Sequence, residues 1–323
     1  MTLVISTITS SGIVLTADSR QTYKNSAGAI RIGSDSVMKL FKLTEFSGVA
    51  IAGKAFLNEE SQPVKDVGYF INKFKKSEDI KNLSVKDIAV KLNKYLGDLF
   101  VNKEKENLRK LIDIEVGKQG GVNLNFSTSD DHLVPYSYTD KYGKKVSNIG
   151  WIETINMIVV GTDKDKVGRA YSISVPKGIT IERDTKQCGA LWVGQTDVLA
   201  RIVKGYAPEI ENLNFVKEAL TKNNVSTSDQ LNKMEYIINW GTITLQDAID
   251  FCVLMTRTTE SIQRFSDGTM LVPGGIAGVG GEIDIYEFTA PLPDIFGSYR
   301  WGTSCGNNKQ VCTLMVVLLL LVC

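Results

Sequence analysis

TLVISTITSSGIVLTADSR, running from Thr2 to Arg20, is the stretch that decides the fold. Thr2 to Ile8 is dominated by β-branched residues, Ser10-Ser11-Gly12 is a turn signal, and Ile13 to Ala17 is a second strand, so the segment predicts a β-hairpin. Working outward, a polar connection rich in Ser, Gly and Asn leads to Lys39-Leu40-Phe41-Lys42-Leu43 and Gly48-Val49-Ala50-Ile51-Ala52-Gly53, a second strand pair. Small residues flank the last strand, which implies that something approaches its backbone closely.

Helical periodicity comes next. Val64, Val67, Gly68 and Ile71 keep helical spacing, and Val85, Ile88, Ala89, Leu92, Leu96 and Leu99 repeat it behind Ser84 as an N-cap. Two antiparallel helices are the simplest outcome. Gln119 to Gly150, rich in Gly, Ser, Asp and Tyr, reads as an elaborated loop or hairpin insertion. Strands return at Ile155 to Gly161, at Ala170 to Val175 and at Ile179 to Arg183, the last two bracketing a Pro176-Lys177-Gly178 turn. A helix is expected from about Gln195 to Lys204, a long one from Leu245 to about Thr259, and a final strand from Glu282 to Phe288. Strand pairs alternating with helix pairs predict an α+β fold in which two packed sheets are covered by helices on both sides, a four-layer αββα sandwich. One domain over residues 2–290 is expected, with insertions near 119–150 and 206–242 and a tail over 291–323.

The 323 residues are 43% apolar, enough for a substantial core, and 37 basic side chains meet 36 acidic ones. That balance lacks the clustered positive charge that nucleic-acid binding requires, so no nucleic-acid partner is expected. Cys188, Cys252, Cys305, Cys312 and Cys323 are odd in number with no CxxC pair, which argues against a disulfide framework and suits a reducing, cytoplasmic setting. His132 is the only histidine, which excludes a multi-histidine metal site, and its polar surroundings make it a surface-loop residue. No metal or other cofactor is indicated. The chain opens without a basic n-region or cleavage site, so no secretory leader is expected. Val311 to Cys323 is thirteen residues of almost unbroken apolar character, shorter than the roughly 20 needed to span a bilayer. Membrane insertion is therefore not expected, and the run stays open as a tail docked on a neighbouring subunit, a surface anchor or a terminus outside the evolved domain.

Three further features read as structural. The run from Lys73 to Lys118 holds twelve basic and eight acidic residues, a solvated helix face. Gly274 to Gly281 lacks a following helix and a Lys-Ser/Thr pair, so it reads as a flexible loop rather than a phosphate cradle. Cys188 has no histidine near it in sequence and reads as an inert thiol.

Thr2 is a different case. Methionine is normally trimmed before a small residue, and trimming here leaves a free threonine opening a β-strand. Such a residue carries a hydroxyl nucleophile beside its own base, an α-amino group of unperturbed pKa about 7.7 to 8.0.

The residues after Thr2 resemble the proteasome β-subunit family, within the N-terminal-nucleophile (Ntn) hydrolases. The match runs from Thr2 to Asp18 in GIVLTADSR, to Lys39 in Lys39-Leu40-Phe41 and to Ala50-Ile51-Ala52-Gly53, with a slightly longer link between Arg20 and Lys39. It continues loosely through Asn156 to Gly161, the hairpin at Pro176, Val193-Gly194 and Gly281 to Tyr286. The resemblance implies that Thr2, Asp18 and Lys39 are catalytic, with Ser266 beside them and Gly53 as oxyanion-hole donor. It implies Gln21 and Ile51 as substrate-binding residues, Ile51 in an apolar first pocket, and Arg20 as support for the Asp18 turn. The chemistry fits those types: a lysine ammonium favours deprotonation of the Thr2 hydroxyl and amine, and the aspartate holds it charged. Asp18, Lys39 and Thr2 are expected on three adjacent strands. Two positions depart from the pattern, since Gln195 replaces a serine and Gln263 an aspartate, unless a slipped alignment brings Glu260 there.

The resemblance implies a threonine-type peptidase, its nucleophile exposed by loss of Met1, acting on peptide or unfolded protein inside a self-compartmentalising homo-oligomer, a ring. Whether an ATPase partner feeds it is not indicated. Two alternatives are an Ntn amidase acting on a small amide, lidded by the insertions, and a catalytically silent structural or regulatory ring subunit.

Overall fold

The computed structural model describes residues 2–24, 29–57, 64–129, 132–223, 225–226, 230–268, 277–289 and 298–301. The apolar run from Val311 to Cys323, the cysteines Cys305, Cys312 and Cys323, and Gly274 to Ile276 of the glycine-rich segment lie outside the described residues.

The opening hairpin forms as β1 (Leu3–Thr9) and β2 (Gly12–Asp18), and every residue of both strands is buried. In place of the polar connection is a small hairpin of β3 (Gln21–Lys24) and β4 (Ile30–Ser34). β5 (Leu40–Lys42) and β6 (Ser47–Gly53) are the expected second pair, followed by a short pair, β7 (Phe56–Leu57) and β8 (Lys65–Asp66).

Three helices start at side-chain caps that satisfy the otherwise unpaired first-turn N–H groups. In α1 (Val67–Ser77) Asp66 accepts from the Tyr69 N–H, and in α2 (Val85–Lys118) Ser84 accepts from the Asp87 N–H. α2 spans 34 residues, well beyond Leu99, where the sequence periodicity ends. Its carboxyl half is covered by the insertion, which is a three-stranded antiparallel sheet of β9 (Val122–Phe126), β10 (Leu133–Thr139) and β11 (Lys145–Trp151). Ile112 and Val116 of α2 pack there against Val134.

β12 (Ile155–Thr162), β13 (Gly168–Val175), β14 (Gly178–Asp184) and β15 (Gly189–Gly194) complete the central strands. α3 (Asp197–Lys204) leads into the second insertion, which carries α4 (Asn214–Asn223). α5 (Leu245–Phe265) opens with a capping box, in which Thr244 accepts from the Asp247 N–H and Asp247 accepts from that of Thr244. β16 (Ile283–Thr289) closes the chain's core, and β17 (Ser298–Trp301), within the expected tail, pairs antiparallel with it.

The strands form two five-stranded antiparallel sheets of order β15-β1-β2-β16-β17 and β14-β13-β12-β6-β5. Strand alternation sends successive side chains to opposite faces. Val4, Ile8, Leu15 and Ala17 of the first sheet meet Leu40, Ala50, Ala52, Ile158 and Val160 of the second in a middle layer. On the outer face of the first sheet, Leu3, Ile5 and Val14 pack against Leu199 and Val203 of α3 and Ala248 and Cys252 of α5. On the outer face of the second, Val49, Met157, Val159 and Ile173 pack against Phe70 and Phe74 of α1 and Ile88, Leu92 and Leu96 of α2. The architecture is the four-layer αββα sandwich. Among the described residues no helix is long and apolar enough to cross a membrane.

Candidate active site

Asp18 ends β2 with its side chain fully buried. Its Oδ1 accepts the Leu3 N–H at 2.9 Å, which fixes the first residue of β1 beside it. Its Oδ2 accepts from the Arg20 N–H at 3.2 Å, the Gly280 N–H at 3.1 Å and Lys39 Nζ at 3.2 Å. Lys39 Nζ also donates to the Arg20 carbonyl. Burial pushes the Lys39 ammonium below the ordinary lysine value, against the charge of Asp18 that pulls it up. Burial likewise pushes the Asp18 carboxyl up, opposed by the Lys39 charge and by the donors of Leu3 and Gly280. A buried pair of this kind gains its strength from the surrounding hydrogen bonds, because desolvation offsets much of the Coulomb attraction. The three residues do not sit on three adjacent strands as expected: β1 and β2 are neighbours in one sheet, whereas Lys39 precedes β5, the edge strand of the other. The site is therefore built across the gap between the sheets.

Thr2 is almost fully buried, and its carbonyl accepts the Gln195 N–H at 2.7 Å. Gly194 makes that approach possible. Its φ is +95°, and a Cβ there would lie 2.0 Å from the Thr2 oxygen. Gly53 is constrained in the same way, with φ +88° and the Thr154 carbonyl 2.4 Å from where a Cβ would be. Strand alternation sets the direction of the Gly53 N–H. The Ile51 N–H bonds the Lys39 carbonyl on the β5 side and the Lys54 N–H bonds the Thr154 carbonyl on the opposite side. The Gly53 N–H thus points to the β5 side, beyond the place where β5 begins.

Thr2, Lys39 and Gly53 line one open cavity of about 800 Å³, together with Gln21, Ile51 and Arg20. A pocket of this size suits a small molecule or a few residues of a peptide. The Arg20 guanidinium does not turn toward Asp18. It pairs with Asp35 through Nε at 2.6 Å and Nη2 at 3.3 Å, and donates to the carbonyl of Val279 at 3.3 Å.

Ser266 is not brought to Thr2. It follows α5, its Oγ exchanges hydrogen bonds with the backbone of Gly268, and it lines a separate pocket with Arg264 and Asp267. Glu260 lines that second pocket too and accepts from Arg257 at 2.7 Å. Gln263 and Gln195 bond to each other, Gln263 Nε2 donating to Gln195 Oε1. Gln263 Oε1 accepts the N–H groups of Gly278 and Val279, each at 3.0 Å. A chain of bonds thus runs from the end of α5 to the residue that holds the Thr2 carbonyl.

The described part of the glycine-rich segment is not a loose loop. Gly280 donates to Asp18, a Cβ there would lie 2.4 Å from the Arg20 guanidinium carbon, and Val279 is fully buried. His132 also departs from its expected place on an open surface loop, because it lines the cavity with Trp151, Ile152 and Glu153 of the first insertion. Their sequence signal is weak, since a polar run before a strand reads as a loop. Cys188 donates weakly to the Thr185 carbonyl, and burial pushes the Cys252 thiol up to about 11. Neither lines the cavity. Among the described residues no group of His, Cys, Asp and Glu is placed to hold a metal ion.

No protein-family model matches the chain, and no curated protein does. Among solved structures it is similar to Anbu (ancestral beta-subunit) from Yersinia bercovieri, with 13% identity over 94% of this chain and 88% of that one and a TM-score of 0.46. The helical assembly of the Anbu complex from Pseudomonas aeruginosa matches at 13% identity, 98% and 93% coverage and a TM-score of 0.47. Anbu from Hyphomicrobium sp. strain MC1 matches at 14% identity, 94% and 88% coverage and a TM-score of 0.43. These findings correct the assignment drawn from the amino-terminal motif. The chain matches no model of the proteasome β-subunit family, and the similar structures named above are Anbu proteins, at identities too low to place it in that family either.

Proposed function

We propose that the protein is a threonine-type amide hydrolase acting on peptide bonds, with Thr2 as nucleophile once Met1 is removed. The observation that carries the reading is the meeting of Thr2, Lys39 and Gly53 in one cavity, with Lys39 held by the same carboxylate that binds the Leu3 N–H. The Thr2 hydroxyl attacks the amide carbonyl, and its proton passes to the α-amino group. The Gly53 N–H stabilises the tetrahedral oxyanion. The C–N bond then breaks, the amine proton goes to the leaving nitrogen, and an ester on Thr2 remains. Water, giving a proton to the freed amine, attacks the ester and restores Thr2 with release of the carboxylic acid. The Lys39 ammonium favours the deprotonated hydroxyl and amine throughout.

Thr2→Ala is expected to abolish hydrolysis of fluorogenic peptide amides while leaving the melting temperature within a few degrees. An unchanged rate would refute the proposal. We also propose self-association, for which the outer helical layers supply a surface: Leu111 and Ile114 of α2 and Leu254 and Ile262 of α5 are exposed.

A non-catalytic role is favoured by one observation. Gln195 and Gln263 are neutral and engage each other, so neither supplies a carboxylate to the amine. Intact-mass measurement separates the two readings, since retention of Met1 places the amine on the wrong residue.

A further inference from the structure

The cavity carries several large, exposed apolar side chains. Tyr23 from the β3–β4 hairpin, Met38, Phe56 and Trp151 from the insertion all line it, and each is between about two-fifths and seven-tenths exposed. Large apolar side chains exposed on the lining of one cavity mark a surface that something apolar covers. The charged groups on the lining are mostly engaged already. Arg20 pairs with Asp35, Lys39 with Asp18 and Lys54 with Glu104, and Asp66 caps α1. Glu153 stands exposed on the same lining, two residues after Trp151.

The insertion wall is anchored, not hinged. Ile152 is buried in the core beneath α2, and its N–H donates to the His132 carbonyl at 3.0 Å. The Thr154 carbonyl accepts the Lys54 N–H at 3.0 Å, tying the wall to the end of β6 beside Gly53. Lys105 of α2 donates to the Ser129 carbonyl, just before His132. Such a wall is held at a fixed position relative to Gly53, as a specificity surface must be.

We infer that Trp151, at the end of β11, is a specificity-determining residue of the Thr2 cavity, selecting a peptide with a large aromatic or aliphatic side chain close to the scissile amide. Glu153 disfavours an acidic one. The place of cleavage rests on the reading of Thr2 as nucleophile, and the side-chain preference on the cavity lining alone.

The test separates the two. In the Thr2→Ala background, where nothing is turned over, capped tetrapeptide amides differing only in a central Phe or Asp are titrated by calorimetry. The parent is expected to bind the Phe peptide at least tenfold more tightly. Trp151→Ala is expected to reduce that preference several-fold, leaving the part due to Glu153, and Trp151→Phe to keep most of it. Equal binding of the two peptides by the parent, no binding of either, or an unchanged preference in Trp151→Ala would overturn the inference. In the Thr2-containing protein the same peptides are assayed for cleavage. Preference in binding without cleavage counts against the nucleophile reading and leaves the specificity surface standing.

Discussion

Asp18 accepts hydrogen bonds from Leu3, Arg20, Gly280 and Lys39, groups that come from β1, the turn after β2, the segment before β16 and the residue before β5. That convergence makes it the residue on which the site's electrostatics turn. The proposed chemistry needs Lys39 charged. Because burial lowers its pKa from the ordinary 10.5, the proton is lost as pH rises through that lowered value, and activity falls on the alkaline side below the ordinary lysine range. Asp18 is the largest influence raising it. Asp18→Asn is therefore expected to move the alkaline limb of kcat/KM to lower pH, read from a pH–rate profile, and an unmoved limb would show that Lys39 is not the group titrating. At this scale the placing of the candidate residues was legible, their roles coming from the resemblance alone. Thr2, Asp18, Lys39 and Gly53 lie on or beside strands whose pattern is strong, so local sequence places them. Ser266 was not legible, because its direction depends on the turn after α5 and on Gly268. His132 was masked by the polar residues before it.

Among the elements, α5 reaches the site only through its last turns. Gln263 accepts the N–H groups of Gly278 and Val279 and donates to Gln195, which in turn holds Thr2 by its backbone. Removing that side chain leaves two part-buried N–H groups without their acceptor, at a cost of about 1–3 kcal/mol. Gln263→Ala is expected to lower stability by that amount in urea denaturation and to reduce kcat with little change in KM. Gln263→Glu, which keeps the acceptor, is expected to recover most of the stability. If both variants match the parent, the bridge has no such part. The central strands were readable from β-branched runs, and α5 from its apolar face. The full reach of α2 was not, because its carboxyl half is covered by the insertion rather than by the main core, and the mixed polarity of β9, β10 and β11 conceals their pairing.

At the scale of the whole molecule, two sheets pack through Val4, Leu15, Ala50 and Ile158, with helices sealing each outer face. The order of layers was legible in the alternation of strand pairs and helix pairs. The crossing of the site from one sheet to the other was not, since it depends on how the sheets stack and not on any one strand. The proposed self-association predicts a light-scattering mass that is a multiple of 35.6 kDa, and a monomer at high protein concentration would contradict it. The glutamine pair and the proposed nucleophile pull the functional reading in different directions, and covalent chemistry decides between them. The most direct measurement is mass spectrometry of the protein after incubation with a threonine-directed β-lactone, with peptide mapping of any adduct. A catalytic Thr2 predicts a protein lacking Met1 and a single acyl group on Thr2, absent in Thr2→Ala. A retained Met1 with no adduct, or an adduct that persists in Thr2→Ala, would contradict it.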